Sequence, residues 1–257
     1  MLFRSSVRTL MSQPAGVRRI ATHPASLVIF TAGTSGLPKG ALVSFERKEP
    51  PDTRLLAYQE DQRRTVPGGS HTRALLCRPL HHLAGPVQGR GCLDSGGTLF
   101  ILRRFDPDAV LAMVQRHSLT HLSMVPTMAL RIVNLPADRL RQYDLSSVRM
   151  LHVGGAPVPF ELKKRLIDVF GSNCLFEGYG STELRYVTVM APADHMRKPG
   201  SCGRLYAGVE VRITDESARV LPTGRSGEIC VKTPLVFSGY LNRPSADRKS
   251  TRLNSSH

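Results

Sequence analysis

The chain has 257 residues, room for one large domain or two small ones around a well-buried core. An apolar share of 41% with 22 Gly and 18 Pro excludes a disordered, collagen-like or coiled-coil protein. Thirty-five Lys and Arg against 20 Asp and Glu give +15, which raises nucleic acid or an anionic membrane as partners. Two terminal segments qualify that figure. Met1–Ser5 and residues 247–257 (DRKSTRLNSSH) read as translated sequencing-library adapter, so both are set aside from fold reasoning. Without Arg4 and the two net positive charges of residues 247–257, +15 falls to +12 on what reads as an internal piece of a longer protein.

The remaining start carries Arg8, Arg18 and Arg19 with no acid before Glu46, which would suit a mitochondrial transit segment at a genuine N-terminus; otherwise the expected location is cytoplasmic. No apolar run approaches the roughly 20 residues of a membrane span. Cys77, Cys92, Cys174, Cys202 and Cys230 are odd in number and without CxxC spacing, the pattern of reduced thiols rather than a disulfide scaffold or zinc site.

Along the chain, the apolar runs Leu27–Phe30, Leu99–Leu102 and Met150–Val153 predict buried strands of a mostly parallel sheet. Helices are predicted between them. Asp106-Pro107 is an N-cap followed by proline at the first helical position, and Ala109, Val110, Met113 and Val114 form one apolar face. Leu162, Leu166, Val169 and Phe170 repeat that pattern until Gly171 stops it. From about Gly208 the period shortens: Val209–Ile213 and Glu228–Val231 alternate around Pro222, Gly224 and Gly227, predicting antiparallel strands. The expected organisation is an α/β portion over residues 6–206 with flanking helices and a β-rich extension over 207–246.

Two segments carry chemistry. FTAGTSGLPKG (Phe30–Gly40) follows a strand; its glycines expose backbone N–H groups, Thr34 and Ser35 add hydroxyls and Lys39 a cation, the parts of a polyphosphate cradle. It is no Walker A loop, because Pro38 precedes Lys39 and Gly40 follows it. EGYGSTEL (Glu177–Leu184) places an aromatic ring, two hydroxyls and a carboxylate on a strand-end loop, where open α/β sheets bind ligands. Glu183 there could hold Mg²⁺ beside substrate phosphate oxygens. A plain glycine-rich turn and a solvated loop acid are the bland alternatives.

In this order and separation, the two segments resemble the adenylate-forming superfamily of acyl-CoA synthetases, acyl-protein ligases, luciferases and peptide-synthetase adenylation domains. RPLHHLAG (Arg78–Gly85), RFDPDAVL, HLSMVPT, VGGAPV (Val153–Val158), KPGSCGRLYAGVEVRI and GEICVKTPLVFSGYLNRP resemble further segments of it, covering nearly all of residues 24–246. The resemblance implies ATP, Mg²⁺ and coenzyme A as cofactors and a carboxylic acid activated as acyl-adenylate, then joined to a thiol. It also assigns roles. Thr31, Gly33, Thr34, Ser35, Gly36 and Lys39 would close over the β- and γ-phosphates. Gly154, Gly155, Ala156 and Pro157 would frame the adenine with Tyr179 stacked on it. Ser181, Thr182 and Glu183 would meet the α-phosphate and Mg²⁺, His82 would flank the acid near its carboxylate, and Gly180 would keep the path clear.

Ala32 and His81 depart from the family's usual hydroxyl and aromatic residues, and SFERKEPPD after Val43 departs from its expected helix. The family's ribose-binding Thr-Gly-Asp and lysine-bearing C-terminal lid domain do not occur within the 257 residues, so weak ATP or AMP binding without useful turnover is expected of this chain. No charge is assignable to the acyl pocket, so fatty, aromatic and short-chain acids all remain open, as does the oligomeric state. Lys163-Lys164 and Arg103-Arg104 read as solvated faces, and His117, His121 and His152 as packing or surface residues, the last two alternatively lining the acyl pocket. With aromatics at 6% and no Trp, a nucleic-acid-binding module is the weaker alternative. A non-catalytic nucleotide-binding remnant is the other.

Overall fold

The protein is described by a computed structural model over residues 26–31, 38–44 and 52–242. A hairpin of β1 (Ser26–Thr31) and β2 (Lys39–Ser44) leads to helix α1 (Thr53–Thr65), β3 (Arg73–Leu76), α2 (Ala84–Asp94) and β4 (Thr98–Ile101). Next come α3 (Pro107–His117), β5 (His121–Met124), α4 (Pro126–Val133), the single turn α5 (Ala137–Leu140), β6 (Met150–Gly154), α6 (Phe160–Phe170) and β7 (Leu175–Gly178). Short strands follow: β8 (Gly180–Ser181), β9 (Arg185–Tyr186), β10 (Thr188–Val189), β11 (Arg204–Leu205), β12 (Glu210–Thr214), β13 (Glu228–Lys232) and β14 (Gly239–Tyr240).

The centre is a five-stranded, wholly parallel sheet in the order β4-β3-β5-β6-β7. The inner strands are buried on both faces, polar His121, Ser123 and His152 included, whereas the Leu99–Leu102 run, expected to be buried, forms the edge strand β4 and leaves Ile101 exposed. One face packs Leu75, Leu122, Leu151 and Leu175 against α3, α4 and α6, through Val110, Val114, Ile132 and Leu166. Each such side chain contributes about 1.5–3 kcal/mol by leaving water. The helix signals hold in detail. The Asp106 carboxylate accepts from the Ala109 N–H with Pro107 in the first turn, and α6 ends at Gly171 with φ +94°. The expected antiparallel pair is β12 with β13, running from Glu210↔Lys232 to Thr214↔Glu228.

Two expectations need correction here, and one helix went unpredicted. Leu27–Phe30 lies in β1, which pairs antiparallel with β2 from Ser26↔Ser44 to Thr31↔Lys39 rather than joining the parallel sheet. An apolar run specifies burial, not strand direction. Helix α1 carries no apolar stripe the sequence could announce; it is fixed by its Asp52 cap and by Tyr58, buried in a second cluster with Phe176, Val187, Tyr206 and Val231. Lys163 is not solvated: it is 2% exposed on α6, and its ammonium pairs with the Glu177 carboxylate on β7. Lys164 is the solvated one, paired with Glu161 one turn earlier.

Breaking a buried ion pair from one side strands a charge, whereas replacing both partners by apolar residues is often neutral or stabilising. Lys163→Met is therefore expected to lower unfolding free energy by about 3–5 kcal/mol, and Lys163→Met with Glu177→Leu to recover most of it, read by chemical denaturation.

Candidate functional site at the carboxyl edge of the sheet

The order β4-β3-β5-β6-β7 makes the chain leave β3 in one direction for β4 and return to the other side for β5. Such a reversal opens a crevice at the carboxyl ends of the strands, the usual ligand position in open α/β sheets. The predicted motifs converge there. β6 ends at Gly154, and Gly155, at φ +88°, leads into exposed Ala156 and Pro157. β7 ends beside it, with Gly154↔Gly178 in register, and delivers Tyr179 at 39% exposure. Gly180 admits no side chain, since a Cβ would lie 1.9 Å from the Arg185 carbonyl oxygen. This closeness lets β8 and β9 fold back as a hairpin carrying Ser181, Thr182 and Glu183 at its turn. Ser181 Oγ accepts from the Leu184 N–H, so it braces the turn from an exposed position. Thr182 is half-buried beside it.

Lys39 and Glu183 meet through a residue that sequence reasoning missed. The Tyr240 hydroxyl donates to Glu183 Oε1 at 2.7 Å, and Lys39 Nζ lies 5.2 Å from the centre of the Tyr240 ring. Pairing of β14 with β2, Gly239↔Leu42 and Tyr240↔Ala41, makes the contact, and no local pattern announces it. Thr31 Oγ1 donates to the Lys39 carbonyl at the mouth of the β1–β2 hairpin. Gly33, Thr34, Ser35 and Gly36 lie outside the described residues.

Beneath this edge, on the sheet face opposite the large core, is a cavity of about 210 Å³. Its floor is Ala74, His121, Ser123, Met150 and His152 from β3, β5 and β6; its roof is Val87, Gln88 and Cys92 from α2, with Tyr186 at one side. The two histidines differ. His121 Nε2 sits 2.7 Å from the Pro67 carbonyl, which can only accept, so Nε2 carries the proton and Nδ1 accepts from the Thr120 hydroxyl. His152 is 7% exposed, neither ring nitrogen has a partner, and its ring meets Tyr186 edge-on at 5.2 Å. Burial, assisted by the Arg78 charge, pushes its pKa down to about 4, so the ring is neutral. Thr72 Oγ1 and Gln88 Oε1, both at this cavity, are also buried without partners.

His82 stands exposed just before α2, its Nδ1 accepting from the Ala84 N–H at 3.4 Å; partial burial and then the Arg78 charge lower its pKa. Arg78 is a buried charge beside the crevice that sequence reasoning did not single out. It is 5% exposed just past β3, and Nη1 donates to Ser123 Oγ across the crevice at 3.2 Å. His117 is half-buried, stacked against Phe100 rather than at the site. All five cysteines are free thiols. Among the described residues, no three His, Cys, Asp or Glu side chains converge as a metal cluster, and no helix is long and apolar enough to cross a membrane.

A glycine-framed crevice with a strand-end tyrosine, an acidic turn and a cavity beneath it agrees with the class that the family model defines: the chain belongs to the AMP-binding enzyme family, whose model matches residues 7–241. It is similar to feruloyl-CoA synthase of Amycolatopsis sp, 36% identical over 230 residues that make up 88% of this chain and 44% of that protein. It is 32% identical over 238 residues to 4-coumarate–CoA ligase 3 of Oryza sativa subsp. japonica, covering 89% and 42% of the two chains. Among solved structures, amide bond synthetase McbA from Marinactinospora thermotolerans matches with a TM-score of 0.75 and 33% identity, over 86% of this chain and 43% of that one. The chain thus spans less than half the length of these relatives.

Because the folded pKa of His152 is depressed, its unfolded form binds more protons as pH falls below about 6.5, so stability is present above that value and lost toward pH 4. His152→Gln is expected to flatten this part of the stability-versus-pH curve relative to wild type. Parallel curves, measured by denaturation at fixed pH intervals, would show that His152 is not a neutral buried ring.

Proposed function

We propose that this chain is the nucleotide- and acyl-binding portion of an ATP-dependent acid–thiol ligase acting on an aromatic carboxylic acid. The observation that carries the reading is the meeting of Lys39 and Glu183 on Tyr240, at the sheet edge where Gly154–Pro157 and Tyr179 frame a crevice above the cavity. In this reading a carboxylate oxygen attacks the α-phosphorus of ATP, the bond to the β-phosphate oxygen breaks, and pyrophosphate leaves. The sulfur of coenzyme A then attacks the acyl carbon, forming the thioester and releasing AMP. Such displacements depend on placing charge around the phosphates.

Each residue has a part that its position supports. Lys39 neutralises the outgoing phosphates from the end of the hairpin, with Thr31 and the residues of the intervening loop. Tyr179, exposed at the strand end, stacks on the adenine, against Gly154, Gly155, Ala156 and Pro157. Gly180 lets Ser181 and Thr182 approach the α-phosphate. Glu183 fits Mg²⁺, since the ion takes one or two carboxylates plus phosphate oxygens and Tyr240 holds this carboxylate by a single oxygen. When bound, the ion would supply charge to the phosphates. His82 stands at the acid's entrance.

The cavity supports an aromatic acid with hydrogen-bonding substituents. Thr72 Oγ1, Gln88 Oε1 and both His152 nitrogens are buried and unpaired around it, and each such atom costs about 1–3 kcal/mol unless a ligand meets it. The names of the relatives, feruloyl-CoA synthase and 4-coumarate–CoA ligase, agree with that chemistry.

Titration calorimetry on the chain tests the nucleotide assignment. Lys39→Ala is expected to weaken ATP at least about tenfold while changing AMP less than about twofold, because a charge-assisted contact to a phosphate is worth about 1.5–3 kcal/mol. Equal losses would remove the phosphate role of Lys39, and failure of wild type to bind either nucleotide would overturn the reading.

A further inference from the structure

Arg78 is the feature that the family reading does not absorb. It follows β3 directly. Leu75 and Cys77 point into the large core, so Arg78 falls on the opposite side, the side on which Thr72 and Ala74 line the cavity. Its guanidinium spans the reversal point of the sheet: Nη1 donates to Ser123 Oγ, and Ser123 is itself part of the cavity wall. A Cβ on Gly155 would lie 3.1 Å from Nη2, so the same group reaches the end of β6 where the adenine frame begins.

A guanidinium carries five N–H donors and remains charged in proteins. Among the described residues, the Ser123 hydroxyl is its one hydrogen-bond partner and no carboxylate pairs with it. Burial is also what lowers its pKa. Burying such a charge is costly unless an anion compensates it. The flat fork of the group matches the two oxygens of a carboxylate.

We infer that Arg78 is the binding group for the reacting carboxylate of the acid, holding it at the top of the cavity with its acyl group below. The assignment rests on the proposed acid-activating function, and it commits to the carboxylate rather than the nucleotide phosphate because Arg78 shares Ser123 and a sheet face with the acyl cavity. His82, exposed at the entrance, is then left to guide the acid and not to carry its charge.

The test is equilibrium binding to the chain of a series of monocarboxylates from acetate through benzoate to 4-coumarate, each beside its uncharged methyl ester, at a pH where the acids are ionised. Wild type is expected to prefer at least one acid over its ester by about tenfold or more, the size of a charge-assisted contact. Arg78→Met is expected to abolish that preference by weakening the acid, leave the ester within about twofold and leave AMP unaffected; Arg78→Lys should retain part of the preference. If the charge is held for a ligand, removing it leaves the melting temperature of the ligand-free protein equal or higher. A large drop, with acid binding unchanged in Arg78→Lys and Arg78→Gln, would instead make Arg78 a structural tie between β3 and β5.

Equal binding of acid and ester by wild type would overturn the inference. So would loss of AMP with acid binding intact, which would move the anion to the nucleotide. If wild type binds AMP but no acid, this inference falls and the nucleotide assignment stands; if it binds acids through Arg78 but no nucleotide, the reverse holds.

Discussion

The reversal of strand order between β3 and β5 is the constraint on which the rest depends. Parallel strands must be joined by crossovers over the faces, and those crossovers keep one hand, so helices cover the sheet and its carboxyl edge is left to loops. The leucines of β3, β5, β6 and β7, locked against α3, α4 and α6, fix where those loops begin to within the precision of a packed core. Gly154 and Gly178 lie side by side because Leu151 and Leu175 do. The opposite face is packed less tightly, and the gap under α2 becomes the cavity.

Charge is distributed in the same way. Glu177 sits in β7 immediately before the loop that carries Tyr179, and the Lys163 ammonium from α6 compensates it inside the fold. Burial raises the pKa of Glu177 while Lys163 opposes the rise. Arg78, three strands away, has no such partner among the described residues. His152 between them is kept neutral by burial and by that uncompensated cation. Glu177 is thus compensated within the fold, and Arg78 is the cation we assign to a ligand's carboxylate. Glycine does the remaining work, at Gly180 where the hairpin closes and at Gly155 where φ is positive.

Much of this was legible in the sequence because it is local. The Asp106-Pro107 cap, the Gly171 stop and the glycine and hydroxyl pattern of EGYGSTEL each depend on a few neighbouring residues, and the structure places them as the pattern implies. Lys163 was misjudged although a signal existed: it lies three residues before Leu166 and seven before Phe170, on the buried stripe of α6, and only its charge argued otherwise. The direction of β1, the role of Tyr240 and the burial of Arg78 on the cavity's side of the sheet were not legible. The first follows from the β1–β2 hairpin, whose turn the apolar run alone does not announce; the other two are set by pairing between distant segments, β14 with β2 and β3 with β5, which neither periodicity nor composition encodes.

If the carboxyl edge of the parallel sheet is the nucleotide site, AMP should protect backbone amides there and nowhere else to the same degree. Hydrogen exchange of the chain with and without saturating AMP measures this directly. Slowed exchange across residues 154–157 and 178–183, with the amides of β12 and β13 unchanged, is the expected result. Protection that spares both strand ends, or that appears instead on the basic surface around Arg103 and Arg104, would contradict it.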